Sequence, residues 1–228
     1  MREKVAVIGG GAWGTALGLV GVRAGNQTVL WARDPQTVES VGRDRANPRY
    51  LSGITLDAGL SATGDVREAL AGADIVLMAV PAQTLGEMAE DLPPLVRAGT
   101  VVLSCAKGID AESGRLPAEI LGEALPGCPV AALSGPSFAH DVARGLPTAV
   151  TIGSHDLELS EDLCAVLSSR SFRCYASSDL AGVELGGALK NVMALAVGAA
   201  RGLELGASAE AALLARGFAE MTRIATAL

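Results

Sequence analysis

Two kinds of hydrophobic pattern alternate along this chain. Short uninterrupted apolar runs, rich in β-branched residues, read as strands buried on both faces. They lie at residues 5–9 (VAVIG), 28–32, 74–80, 100–105, 130–135 and 148–153, with a weaker run, FRCYAS, at 172–177. Between them, apolar positions recur at helical spacing, in a stretch that runs to Ala24 and is closed by Gly25, and again at 65–71, 82–92 and 116–125. Strands that are apolar throughout, separated by helices, predict an α/β fold with a parallel, Rossmann-type sheet covered on both faces.

Near Leu180 the strand pattern stops, and Ala-, Leu- and Gly-rich helical pattern runs to Leu228. The spacing predicts a dinucleotide-binding domain at 1–179 and the first part of an all-α second domain at 180–228. The second segment is too short to bury a core of its own, so the chain reads as the front of a longer protein. The helical stretch LGGALKNVMALAVGAA carries Lys190 and Asn191 among apolar residues, with Gly186 and Gly187 one turn earlier. Two readings stand here. Lys190 snorkels to water beside a solvated Asn191, or the costly glycines open a notch beneath a lysine that serves a site.

Composition narrows the partners. Half of the 228 residues are hydrophobic, 3% are aromatic, and the formal charge is −7. That balance argues against nucleic acid or an anionic membrane as the partner, so any phosphate-bearing ligand must be held by local donors. Lys190 and Arg201 interrupt the longest apolar stretch, so no membrane span is expected. The first strand begins too early for a signal peptide. Cys105, Cys128, Cys164 and Cys174 form no CxxC, and with only His140 and His155 beside them no metal site is expected. Reduced thiols in a cytoplasmic protein follow.

The candidate chemistry begins at the first strand. VIGGGAWGTAL carries GxGxxG at Gly9, Gly11 and Gly14, directly after a strand and at the opening of a helix, the context of a dinucleotide-binding fingerprint. Gly9 permits the tight turn, Gly11 lets backbone approach a pyrophosphate, and Gly14 lets helix and strand pack closely. The diphosphate would rest on free N–H groups at the helix start. The second strand ends in Arg33 and Asp34. Asp34 before Pro35 reads as a helix cap, and Arg33 as the reader of a 2′-phosphate. NADP(H) is favoured, with NAD(H) the alternative if Asp34 takes the ribose hydroxyls.

Two further motifs sit at the ends of predicted parallel strands, on the edge where such sheets bind ligands. SCAKG places Lys107 there, and LSGPSFA places Gly135, Pro136 and Ser137, which offer donors to a small anion. Together with GGGAWGTAL, NPRYLSG (47–53), GVELGGALKN (182–191) and RGFAEM (216–221), these motifs resemble bacterial NAD(P)-dependent glycerol-3-phosphate dehydrogenase from the first strand to the last residue. The resemblance implies a Rossmann domain followed by a helical domain, usually a homodimer. It implies interconversion of dihydroxyacetone phosphate, a small phosphorylated three-carbon substrate, with sn-glycerol 3-phosphate for phospholipid synthesis. By similarity Lys190 matches the proton donor and acceptor, with Asn191 beside it at the substrate. Lys107 matches the lysine touching nicotinamide and substrate, Gly135 and Ser137 match substrate contacts, and Ala12, Trp13, Arg33, Tyr50 and Ala139 match positions around the cofactor. The sequence departs from the family at Ser52, commonly proline, and at Ser208 and Glu210, commonly Asn and a basic residue. The family also continues beyond this point with an Asp and a Ser-Arg-Asn run that help to hold the substrate phosphate.

On this reading Lys190 is the acid that protonates the oxygen left negative by hydride addition, made readier to release its proton by an apolar wall. Asn191 and Lys107 would orient and polarise the carbonyl. Two rivals remain: a related Rossmann-plus-helical dehydrogenase of hydroxy or keto acids, and a nucleotide-binding module without turnover.

Overall fold

The computed structural model describes residues 3–227. One sheet of eight strands carries the fold: β1 (Lys4–Ile8), β2 (Gln27–Trp31), β3 (Leu60–Thr63), β4 (Ile75–Met78), β5 (Val101–Ser104), β6 (Val130–Ser134), β7 (Thr148–Gly153) and β8 (Phe172–Ser177), in the order β3-β2-β1-β4-β5-β6-β7-β8. The helices are α1 (Ala12–Arg23), α2 (Pro35–Glu39), α3 (Val66–Leu70), α4 (Ala82–Glu90), α5 (Pro117–Ala124), α6 (Ala139–Ala143), α7 (Leu157–Leu167), α8 (Leu180–Gly202) and α9 (Ala207–Ala227).

The central strands are apolar throughout because both faces of the sheet are covered. In β1, Val5 and Val7 enter one core with Leu17 and Leu19 of α1, while Ala6 and Ile8 enter a second with Leu85 of α4 and Leu121 of α5. Leu17, Leu19, Leu85 and Leu121 are fully buried, and such side chains contribute about 1.5–3 kcal/mol each. That burial fixes α1 and α4 against the sheet, so their N-termini hold their places above it.

Two features depart from the pattern-based expectation. The strand β3 was not anticipated: its four residues, LSAT, carry no apolar run and pair at the edge with β2. The sheet is also not wholly parallel. Strands β3 to β6 with β1 and β2 run together, but β6 meets β7 antiparallel, and β8 follows β7. An apolar strand reads alike in both directions, so hydrophobic pattern carries no information on polarity.

Beyond β8 only helix remains. The first half of α8 lies against the sheet: a Cβ on Gly187 would stand 2.4 Å from Ser134 Oγ, and one on Gly153 would stand 2.9 Å from Val183. The second half of α8 and all of α9 are largely open. Val192 is 64% exposed, Leu195 75% and Phe218 71%, and no described residue of α9 is buried. The two helices pack on each other where Gly217 abuts Met193. The Glu210 that departs from the family pattern joins them as well, pairing with Arg201 of α8 at 2.5 Å. Among the described residues only α8 could cross a bilayer by length and composition, yet it carries Glu184 and Lys190 and its first half is seated on the sheet.

Candidate active site

Strand order reverses about β1, whose neighbours are β2 and β4, and a crevice opens outside the carboxyl ends at such a point. The glycine loop fills one wall. Gly9 has φ +128°, and a Cβ there would lie 2.7 Å from Ala79 O beyond the end of β4. A Cβ on Gly14 would lie 1.8 Å from Gly9 O, so only glycine lets α1 start this close to β1. Gly11 differs: nothing lies within 4 Å of its missing Cβ. It is the N-cap of α1 and offers no side-chain cap, so the amides of Ala12, Trp13 and Gly14 in the first turn have no intrahelical acceptor. An open glycine beneath an uncapped helix start fits the pyrophosphate of a dinucleotide.

The loop is braced by a residue that sequence reasoning quoted only within a motif. Asn47 is fully buried, and its Nδ2 donates to Gly10 O at 3.0 Å and to Thr15 Oγ1 at 2.8 Å. At the end of β2, Asp34 accepts from the Gln36 amide at 3.2 Å and from Thr37 Oγ1 at 2.9 Å. The Thr37 hydroxyl, the Gln36 amide and the charge of Arg49 together hold its carboxyl below the usual range. Asp34 is therefore the cap of α2, and Arg33 beside it is exposed with no ion pair among the described residues. Arg49 lies 3.4 Å from Asp34 and stacks over the exposed ring of Tyr50 at 5.3 Å. It adds a second cation at this end of the crevice. Its only signal in the sequence was its place next to Tyr50.

The other wall is built on Lys107. The chain leaves β5 through Cys105 and Ala106, and the Lys107 ammonium donates to Gly135 O and to Ser137 Oγ, each at 3.3 Å. It also lies 5.2 Å from the centroid of the Trp13 ring, a cation–π contact. Lys107 thus touches both the glycine loop and the LSGPSFA turn. Trp13 Nε1 is buried without a partner. Ala12, Trp13 and Ala139, the first residue of α6, pack against the same core. Burial pulls the Lys107 pKa down, the charge of Lys190 lowers it further, and Cys105 opposes both.

Lys190 is half-buried on α8 and has no hydrogen bond or ion pair among the described residues. Its neighbour Asn191 is exposed and likewise unbonded there. The apolar wall expected around Lys190 is thus only partial. The glycine notch is also revised. Gly187 is used by Ser134 and by the Lys107 stem, whose Cγ would lie 3.7 Å from its Cβ, while Gly186 faces open space. The close approach is made by the sheet, and it brings α8 over Lys107.

Two family descriptions match the chain: the N-terminus of NAD-dependent glycerol-3-phosphate dehydrogenase over residues 4–160 and its C-terminus over 179–228. The chain is 51% identical to glycerol-3-phosphate dehydrogenase [NAD(P)+] of Brucella canis, over 100% of its own length and 70% of that protein. It is 54% identical to the Mesorhizobium japonicum protein of the same description, over 98% and 65%. The crystal structure of glycerol-3-phosphate dehydrogenase from Coxiella burnetii superposes with a TM-score of 0.92 at 38% identity, covering 99% of this chain and 69% of that one.

Proposed function

The chain belongs to the NAD-dependent glycerol-3-phosphate dehydrogenase family, and from that premise we propose that it interconverts dihydroxyacetone phosphate and sn-glycerol 3-phosphate with NAD(P)(H), supplying glycerol 3-phosphate for phospholipid synthesis in the cytoplasm. The observation that carries the reading is the position of Lys107, held by Gly135 and Ser137 against Trp13 of the glycine loop, with Lys190 above it. Family membership favours this substrate over the hydroxy and keto acids of related folds. We divide the chain at 179/180, where the last strand has ended and α8 begins.

When bound, the nicotinamide supplies or accepts the hydride at C2 of the triose phosphate. The chain's own residues manage charge and protons. As the carbonyl is reduced, its oxygen becomes negative, and Lys190 Nζ gives it a proton; in the oxidation Lys190 takes that proton back. Lys107 and Ser137 lie beneath the same oxygen and oppose its charge, in a position fixed by the bonds to Gly135 before the reaction begins. Asn191 adds an amide at the substrate's open side. The amides of Ala12, Trp13 and Gly14 take the cofactor's pyrophosphate, and Tyr50 and Ala139 close its flanks.

Turnover of dihydroxyacetone phosphate with NADPH, followed by loss of NADPH absorbance, tests the assignment. NADPH binding with no oxidation in the presence of this substrate, but oxidation with a keto acid, would transfer the site to the related class. The cofactor assignment has its own check. Arg33 is exposed and has no ion pair among the described residues, so Arg33→Ala weakens NADPH binding much more than NADH binding; equal losses for both would show that Arg33 does not read the 2′-phosphate. A homodimer is supported by the open apolar residues of α8 and α9, and light scattering should find two copies per particle rather than one.

A further inference from the structure

The reaction leaves one buried carboxyl on α8 unused. Glu184 is 5% exposed, six residues before Lys190. Its Oε1 accepts from the backbone N–H of Ala118 at 2.9 Å, in the first turn of α5, where helix amides have no partner of their own. Pro117 ahead of it brings no N–H, and the Glu119 carboxylate of the same turn is engaged with the Leu116 amide at 2.8 Å. Glu184 therefore serves an orphan donor of a different helix.

Its second oxygen, Oε2, is buried without a partner, and so is the hydroxyl of Ser104, the last residue of β5. Ser104 lies beside this carboxyl without closing a hydrogen bond to it, and its hydroxyl, like the Ala118 amide, favours the carboxylate. Burial acts the other way, because a carboxylate leaves a charge against Ala118 and Leu180. Burial pushes the Glu184 pKa up to about 7, with the Ala118 amide and the Ser104 hydroxyl opposing and the negative charge of Glu119 reinforcing the shift. The groove beside it is lined by the further titratable groups Cys128, His155 and Asp156, of which Asp156 is occupied in capping α7.

Two of the three elements joined at this point lead to the active site. Three residues after Ser104 the chain reaches Lys107. Three residues after Glu184 comes Gly187, seated on Ser134 and on the Lys107 stem, and three more reach Lys190. We propose that Glu184 is a positioning residue: its bond to Ala118 latches α8 to the start of α5, beside the end of β5, which sets Lys190 over Lys107, and ionisation of the buried carboxyl loosens the latch.

The proposal rests on the dehydrogenase reading for its kinetic consequence but not for its structural one, so two measurements separate them. Glu184→Gln keeps the acceptor for Ala118 and gives Ser104 a permanent N–H donor, locking the latched form. In the wild type, kcat should fall as pH rises through about 7; in Glu184→Gln that limb should vanish while the NADPH KM stays unchanged. A limb that persists in the glutamine variant overturns the positioning role. The second measurement needs no turnover. Because the pKa is raised from 4.5, the folded state holds more protons than the unfolded chain between 4.5 and about 7, and wild-type stability falls across that window as pH rises. Thermal unfolding should therefore show the wild type losing Tm relative to Glu184→Gln from pH 4.5 to 7. A Tm difference independent of pH overturns the latch itself. Should Glu184→Gln fail to fold, Ser104→Ala takes its place: it removes a hydroxyl that lowers the Glu184 pKa, so it should raise the pH at which the kcat limb falls, and an unmoved limb overturns the positioning role.

Discussion

Lys190→Met lowers turnover by about 10² to 10⁴-fold, the usual range for one positioned acid–base group, while NADP(H) binding survives. Methionine keeps the length and apolar fit of the lysine stem but has no proton to transfer. Cofactor binding should survive because the glycine loop, Trp13 and Arg33 lie on or beside β1, α1 and β2, whereas α8 packs on β6 and β7. The variant carries a second signature. The charge of Lys190 is one of two influences that lower the Lys107 pKa, so its removal raises that pKa. Lys107 then keeps its charge to higher pH, and the limb that Lys107 sets, as distinct from that of Glu184, moves upward. Fluorescence titration with NADPH and a pH–rate profile test both statements. Normal turnover in the methionine variant would return Lys190 to the snorkelling role that its sequence also allowed.

The second large effect separates two glycines of one motif. Gly14→Ala places a Cβ 1.8 Å from Gly9 O, a backbone clash that no rotamer relieves, so α1 must move away from β1. Stability and cofactor binding fall together, and since a 1 Å misplacement can cost about 10²-fold, kcat/KM should drop at least that far. Gly11→Ala meets nothing within 4 Å in the free protein and should fold with an unchanged Tm. Its added methyl occupies the space into which the pyrophosphate must come, and NADPH affinity should fall without a stability loss. Normal NADPH affinity in Gly11→Ala would remove the pyrophosphate from this loop. Equal Tm losses in both variants would mean that Gly11 is packed as tightly as Gly14.

Which residues were legible beforehand follows from the range over which each interaction acts. Asp34 could be assigned as a cap because Pro35 follows it and its partners, Gln36 and Thr37, are two and three residues away. Asn47 could not be assigned, since its bonds go to Gly10 and Thr15, more than thirty residues back. Arg49 carries no local signal for the same reason: its partner Asp34 is fifteen residues away. Glu184 looked like one polar residue of a helix, and only its distance from Ala118, sixty-six residues earlier, gives it a task. Gly187 does mark a close approach, and the group it meets is Ser134 of the sheet.

By itself the sequence determined the alternation of strand and helix, the glycine loop and its place after β1, the break in character at Leu180, and the family. Each of these is written in local spacing: apolar runs, helical periods, and glycines at positions where a Cβ has no room. The tertiary structure alone decided that β7 and β8 run against the other strands and that β3 extends the sheet. It also decided that Lys107 bridges two motifs and shares its electrostatics with Lys190. Strand polarity and edge pairing depend on where a connection returns, and a lysine's pKa depends on what burial and charge surround it. Both are set by residues far apart in the chain, which only folding brings together.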